Sequence, residues 1–389
     1  GSIPHPIDAI FETVSGFTTT GASILSDVEA LSHCMLIWRS FTHWIGGMGV
    51  LVLILCLLPL TGGYHMNLMK AESPGPSVSK LVPKVQSTAK ILYTIYIILT
   101  IVEIIFLLIG KMPLFDTLCL SFGTAGTGGF GIKNDSIASY STYNQVVITV
   151  FMILFGINFN AYYLLLTKKV MQAAKNEEVR YYLGIIGLAI VAIAINTREM
   201  FTSFGRAFQQ AAFQVGSIIT TTGYATTDFN VWPVFSKTIL VILMFVGACA
   251  GSTGGGIKVS RLLILCKSAR KELQLYLHPN AVKKIKMDDK AIPHEVVRAT
   301  NMFLFVYIMI FVISLLIISL DNLDMVSNFT AIAATLNNIG PGLGAVGPTG
   351  NFDTYSYISK AVMIFDMLAG RLEVFPLLLL FKRDTWRKF

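Results

Sequence analysis

Hydrophobic residues gather in seven long runs, at about Met35–Leu60, Ile91–Ile109, Val146–Leu166, Tyr181–Ile195, Val234–Ala250, Met302–Leu320 and Ala361–Phe381. Runs near twenty residues with few charges predict membrane-spanning helices. Four shorter segments of mixed polarity lie among them: Ile7–Gly16, Leu114–Phe122, Phe204–Ile218 and Met325–Thr335. At roughly ten to fifteen residues each is too short to cross a bilayer as a helix. Each leads into a polar, glycine-bearing loop: Thr18-Thr19-Thr20-Gly21, Ala125-Gly126-Thr127-Gly128, Thr220-Thr221-Thr222-Gly223 and Asn337-Asn338-Ile339-Gly340. Non-helical backbone at membrane depth is tolerated only where it lines a wet cavity or is buried in protein. The order therefore predicts re-entrant pore helices, each followed by a filter strand.

Gly21, Gly128, Gly223 and Gly340 recur about once per hundred residues, too long a period for a solenoid. The spacing suits a fourfold array whose units each donate one loop to a common axis. The expected fold is an all-α polytopic membrane protein. It has four repeats of span, pore helix, filter loop and span around one pore. The repeats divide as 1–62, 63–176, 177–292 and 293–389, and the third has a broken second span. The first opens on its pore helix, so its leading span is absent from this chain. About two further N-terminal helices are expected in the natural protein.

Composition strengthens the membrane reading. Hydrophobic residues make up 54% of the chain and charged ones 13%, with a mean hydropathy of +0.66. Soluble domains carry about 25% charged residues. Most of the Lys and Arg fall in four groups: Lys70–Lys90, Lys168–Arg180, Lys258–Arg298 and Lys382–Lys388. All lie on the side opposite the glycine loops, which marks that side as cytoplasmic and the loops as outward-facing. Topology thus accounts for the net charge of +8. These residues flank spans and form no aromatic-interleaved patch, which excludes nucleic-acid binding. The five cysteines are scattered, without disulfide or metal-ligand spacing. No acid pair with a nucleophile and no Ser-His-Asp set is present, so an enzyme is not expected.

Four loops around an axis in a membrane chain suit an ion pore. A cation that sheds water must be recoordinated by oxygens, and backbone carbonyls do this without net charge. Inward-pointing carbonyls need unusual backbone angles, which glycine reaches without a Cβ penalty. The candidate filter comprises Thr19, Thr20 and Gly21; Gly126, Thr127 and Gly128; Thr221, Thr222 and Gly223; and Asn338, Ile339 and Gly340. The carbonyls of Thr20, Thr127, Thr222 and Ile339 are the expected inner ligands. Thr hydroxyls could add a layer in three of the four loops. The fourth lacks Thr there, so the site should be asymmetric, with weaker discrimination against sodium.

Gly247–Gly256 interrupts an apolar run with glycine, alanine, Ser252 and Thr253. Each interior glycine costs a helix about 1 kcal/mol relative to alanine. A broken helix here could cover the pore from inside and move. Gly251–Lys258 superficially resembles a phosphate-binding loop, but Ile257 separates the last glycine from Lys258 and the context is apolar. Gly342–Gly347 fits G-x-G-x-x-G, yet no βαβ unit surrounds it. Arg371 and Glu103 are mid-span charges. Such a charge costs several kcal/mol unless it faces water or a partner. Arg371 is therefore either a pore-facing barrier or half of a salt bridge; Glu103 has no assignment.

Several stretches resemble the TrkH family, membrane subunits of bacterial Trk potassium uptake systems within the Trk/Ktr/HKT superfamily. They are Phe11–Ala22, Trp38-Arg39 with Trp44–Gly49, Lys70–Pro76, Gly251–Val259, Ala333–Gly344 and Gly370–Phe375. The resemblance covers the chain in order. It implies potassium as the transported ion, held at the filter carbonyls, and no organic cofactor. It implies that 248–256, with Gly251, Ser252, Thr253, Gly254, Gly255 and Gly256, form an intramembrane gate loop, and that Arg371 lies in the pore below the filter. It also implies a homodimer with one pore per subunit, and a cytosolic regulatory ring of nucleotide-binding, TrkA-like subunits. The basic stretch Leu262–Arg298 is then either a loop beside anionic lipid or the docking surface for that ring and for the dimer partner. Channel-like conduction in the bacterial cytoplasmic membrane is the expected activity. The alternative is a symporter coupling potassium to sodium or protons, which the lack of a paired carboxylate relay weakens.

Overall fold

The computed structural model describes residues 3–49, 85–279, 284–372 and 374–379. The basic motif Lys70–Pro76, the end of the first apolar run, Glu373 and the C-terminal basic tail lie outside them. The described chain is helical apart from one small hairpin, β1 (Lys286–Met287) with β2 (Lys290–Ala291).

The four mixed-polarity segments form short helices. These are α1 (Pro6–Phe17), α4 (Leu114–Gly126), α9 (Phe204–Ile219) and α13 (Met325–Leu336). Their starts follow local chemistry: Pro6 opens α1, while the Ser203 and Asp324 side chains accept the Arg206 and Ser327 backbone N–H groups. The apolar runs form α2 (His33–Met48), α3 (Val85–Ile109), α5 (Thr142–Phe155), α6 (Phe159–Leu166), α8 (Glu177–Asn196), α10 (Val234–Val246), α12 (His294–Ile318) and α14 (Tyr357–Arg371). Three smaller or polar helices complete the order: α7 (Val170–Ala174), α11 (Val259–Leu277) and α15 (Val374–Leu379).

Seven spans were expected, one of them broken in the third repeat, and the described residues hold fewer unbroken ones. Three helices are long and apolar enough to cross a membrane: Thr88–Ile109, Glu177–Asn196 and His294–Asp321. The run Val146–Leu166 is instead two helices, α5 and α6, bent by 90°. Gly156 and Asn158 stand at the bend, and Asn158 caps α6 through the Asn160 N–H. The run Val234–Ala250 ends as helix at Val246, where Gly247 takes φ +70°. The break at Gly247 follows the glycine run in the sequence; the bend at Gly156–Asn158 does not show in a hydropathy profile, which reads apolarity alone.

The packing is cyclic. The first short helix, α1, lies against α14, the last span; α4 lies against α2, α9 against α5, and α13 against α10. Each short helix thus leans on the span that follows the preceding loop. The first helix is also pinned by charge. Glu12 and Arg39 form an ion pair at 2.6 Å, both about 5% exposed. Glu12 accepts further hydrogen bonds from Ser23 and the Ile24 N–H, and the Arg39 guanidinium stacks 4.0 Å over Phe130. Lys360 bridges Asp8 on α1 and Asp353 at 2.7 and 2.8 Å.

Breaking such a pair strands a buried charge, which costs about 3–5 kcal/mol. Arg39→Ala is therefore expected to lower the melting temperature in detergent far more than Arg198→Ala, whose ion pair with Glu199 is exposed. Equal shifts would show that the Glu12–Arg39 pair does not hold α1.

Candidate functional site

All four short helices end in the same way. Thr19, Thr127, Thr221 and Asn338 take left-handed angles, with φ of +54°, +53°, +59° and +55°. Their N–H groups donate to Gly16, Thr124, Ile218 and Thr335. The next residues, Thr20, Gly128, Thr222 and Ile339, donate from their N–H groups to Ser15, Gly123, Ser217 and Ala334, at 2.8–2.9 Å. This is a Schellman helix end, in which glycine usually takes the left-handed position. Here a β-branched residue takes it three times, a strained choice. Glycine follows two residues later, at Gly21, Gly129, Gly223 and Gly340, with φ from +76° to +97°.

This geometry corrects the second loop by one residue. Gly129, not Gly128, is equivalent to Gly21, Gly223 and Gly340. Gly128 stands where the other loops have Thr20, Thr222 and Ile339, so its carbonyl rather than that of Thr127 is the equivalent one. Gly128 is needed for a different reason: a Cβ there would fall 2.3 Å from the ring of the buried His43. The string Gly126-Thr127-Gly128-Gly129 offers two registers, and sequence alone does not choose between them.

The four loops close on one another in chain order. A Cβ built on Gly21 would sit 2.0 Å from the Gly128 carbonyl oxygen. On Gly129 it would meet the Thr222 carbonyl at 1.9 Å, on Gly223 the Ile339 carbonyl at 2.0 Å, and on Gly340 the Thr20 carbonyl at 2.9 Å. Each close approach joins one loop to its neighbour, and the last returns to the first. The result is a ring of backbone in which side chains are excluded by contact as well as by φ. Asn338 ties the fourth loop to the first through its amide, which donates to Thr20 Oγ1 at 2.8 Å.

Residues 247–258, between α10 and α11, lie against this ring. Thr127 Oγ1 donates to the Thr253 carbonyl at 2.9 Å, and the Gly255 N–H donates to Thr221 Oγ1 at 2.6 Å. The Gly256 N–H donates to the Asn337 carbonyl at 3.1 Å. The hydroxyl of Thr127, one of the three expected to add an ion-facing layer, is thus engaged by this segment, and so is that of Thr221. Arg371 donates to the carbonyls of Thr253, at 2.8 Å, and Gly47, at 2.6 Å, and also to that of Gly46. Of the two alternatives for Arg371, the structure gives carbonyl partners beneath the loops. Phe17, Gly46, Leu368 and Arg371 line a cavity of about 140 Å³ there.

Two further charges escaped the sequence reading. Lys258 is grouped by sequence with the cytoplasmic cations, yet it is buried and its ammonium donates to the Gly254 carbonyl. Glu178, which the sequence reading did not single out, accepts the N–H groups of Ala250, at 2.6 Å, and Ser260, at 3.1 Å, and the Asn158 amide at 3.3 Å. It holds both ends of the broken segment. The only available sequence signals are the adjacency of Lys258 to the glycine run and the doubled Glu177-Glu178. Glu103 is fully buried in α3, and neither carboxylate oxygen has a hydrogen-bond partner among the described residues.

Comparison with known proteins gives one consistent result. The family model TrkH, described as a cation transport protein, matches residues 2–387. The chain is similar to the Trk system potassium uptake protein TrkH of Salmonella typhimurium, 38% identical over 98% of this chain and 80% of that protein. It is also similar to the Trk system potassium uptake protein TrkG of Escherichia coli, 34% identical over 98% and 79%. A crystal structure of the potassium transporter TrkH from Vibrio parahaemolyticus matches with a TM-score of 0.86 and 36% identity, covering 99% of this chain and 80% of that one.

The ring contacts predict a contrast between glycines. Gly129→Ala would force a Cβ onto a carbonyl at positive φ, and a marked drop in melting temperature is expected. Gly184, inside α8 with nothing within 4 Å of its built Cβ, should gain about 0.5–1 kcal/mol as alanine. A Gly129→Ala protein as stable as the parent would remove the ring as a close-packed element.

Proposed function

The chain belongs to the TrkH family of cation transport proteins, and on that premise we propose that it conducts potassium through the ring of loop carbonyls, with residues 247–258 as an intramembrane gate. It is a potassium uptake transporter of the Trk system, a multi-pass protein of the bacterial inner membrane, and not an enzyme. One observation carries the finer reading: four identically built helix ends meet in a closed ring, and a broken span is hydrogen-bonded against that ring.

In this reading the carbonyls of Thr20, Gly128, Thr222 and Ile339 are equivalent members of one ring around the ion, and those of Thr19, Thr127, Thr221 and Asn338 are candidates for a second. Neutral carbonyl dipoles replace water around potassium yet let it leave. The twelve filter positions, Thr19–Gly21, Gly126–Gly128, Thr221–Gly223 and Asn338–Gly340, are retained with Gly129 added. Discrimination against sodium should be imperfect, because the ring is built from four non-identical sequences.

On this reading the conformation described is the closed one. Thr253 is held from two directions, by Thr127 and by Arg371, and Gly254 is held by Lys258. Opening separates Gly251–Gly256 from the ring and breaks these bonds. Arg371 keeps positive charge beneath the filter, which opposes cation passage. Homodimerisation and control by a cytosolic, nucleotide-binding ring of TrkA-like subunits are part of the proposal, resting on the family. Channel-like conduction is preferred to symport with sodium or protons, because the carbonyls, hydroxyls and cations at the ring supply no carboxylate relay.

Flux into proteoliposomes tests the whole reading. Potassium and rubidium should enter well ahead of sodium and lithium, without an imposed sodium or proton gradient. A hydrogen bond to a charged group is worth about 1.5–3 kcal/mol, so Arg371→Ala should raise flux about tenfold or more. Deletion of Gly254–Gly256 should raise it as well. Unchanged flux in both variants would reject the gate, and flux that needs a second ion gradient would promote the symporter.

A further inference from the structure

A second polar region lies at the cytoplasmic end of α11 and α12, away from the ring. A cavity of about 530 Å³ opens there between the two helices and the β1–β2 hairpin. Lys271, Lys284, His294 and Arg298 line it, against a single acidic residue, Glu272. Among the described residues, neither Lys271, Lys284 nor Arg298 has a hydrogen-bond or ion-pair partner. A convergence of unpaired cations around a hollow disfavours an empty site, because each repels the others and gains nothing from the chain. The amino end of the 25-residue helix α12 begins beside it, with Pro293 before the first turn and no side-chain cap. Free N–H groups and the helix dipole add to the positive potential there.

The cavity does not stop at the charged residues. Met302 lines it too, and Arg298, Met302, Phe305, Met309 and Leu316 lie along one face of α12 at helical spacing. The four apolar members of this stripe are exposed, Phe305 by 61%. The face therefore reads as a cation at the cytoplasmic end followed by apolar surface that, in a spanning helix, meets the hydrocarbon of the bilayer. The charges thus stand where the headgroup of a lipid lying along that face falls, and a ligand with a phosphate at one end and hydrocarbon at the other meets both.

We propose that this cavity is a binding site for an anionic phospholipid of the inner leaflet. The headgroup phosphate sits among Lys271, Lys284 and Arg298, and an acyl chain lies along Met302, Phe305 and Met309. Basic pockets between spanning helices on the cytoplasmic side take such headgroups. The site would join α11, which continues from residues 247–258, to α12 through a lipid bridge.

The full chain in detergent tests this by native mass spectrometry and by thermal melting with added lipid. Phosphatidylglycerol should be retained and should raise the melting temperature; phosphatidylcholine should do so much less. Removing a cation should weaken retention about fivefold, so Lys271→Ala, Lys284→Ala and Arg298→Ala each lose affinity and the triple variant loses the lipid-dependent shift. Arg298→Lys should keep most of it, which separates charge from a structural effect on folding. Equal retention of phosphatidylglycerol by parent and triple variant would overturn the site. Equal shifts from the two lipids would also overturn it. Inorganic phosphate producing the whole shift would replace the lipid with a free anion. A polyglutamate peptide protecting where lipid does not would replace it with an acidic protein segment.

Discussion

Backbone polar groups at membrane depth must be paired by protein, because the bilayer offers no water to pair them. The molecule meets this constraint by placing its two broken spans against each other. The bend between α5 and α6 frees the carbonyls of Phe155 and Gly156, and the Thr253 and Cys249 N–H groups donate to them. In return the Phe159 N–H donates to the Gly251 carbonyl. Neither break is tenable alone. Glu178 completes the arrangement by taking the N–H groups at Ala250 and Ser260, on either side of the glycine run. A segment that can leave its seat needs partners that are strong enough to satisfy it and few enough to release it.

The same rule shapes the loops above. Their carbonyls form a ring because the Schellman ends have already consumed the carbonyls of the last helical turn. What remains is a short stretch whose neighbours approach within a Cβ of one another. Threonine at three left-handed positions costs conformational energy, and the hydroxyls of Thr127 and Thr221 repay it by bonding to the segment beneath. Thr19 makes no such bond; its hydroxyl has no hydrogen-bond partner among the described residues. Asn338 supplies a longer amide that reaches the first loop and the Met367 carbonyl. The fourth loop thus departs from the threonine pattern where the ring has to close.

Much of this was legible in the sequence. Short amphipathic segments between apolar runs gave the four short helices, because length alone decides whether a helix can span. The left-handed positions sit within the Thr-Gly strings, since few sequences end a helix that way four times. The register of the second loop was not legible, because Gly128 and Gly129 both permit the turn and only their neighbours in space, His43 beside Gly128 and the Thr222 carbonyl beside Gly129, distinguish them. The bend at Gly156–Asn158 was hidden for a related reason: hydropathy measures transfer from water, whereas a bend depends on where the freed carbonyls find donors, here nearly a hundred residues later. Lys258 was misread and Glu178 passed over because their neighbours in sequence are cytoplasmic or helix-starting, while their neighbours in space belong to the broken span.

Lys258 and Arg371 then differ in a way that bears on how a gate of this kind works. Lys258 belongs to the broken segment itself and stands at φ +82°, an unfavourable angle for a side-chain-bearing residue. Arg371 belongs to α14 and reaches across to Thr253 and to the end of α2 at Gly46 and Gly47. On the proposed gating, withdrawal of the segment carries Lys258 with it and lets it shed its strained angle, while Arg371, on α14, loses its Thr253 contact and stays beside Gly46 and Gly47. The Arg371 charge then persists as a barrier of fixed position. Closure is favoured by hydrogen bonds and opposed by strain in the same residue, a balance that a modest force on α11 could tip. That helix continues from the segment toward the cytoplasmic side, where a regulator would have to act.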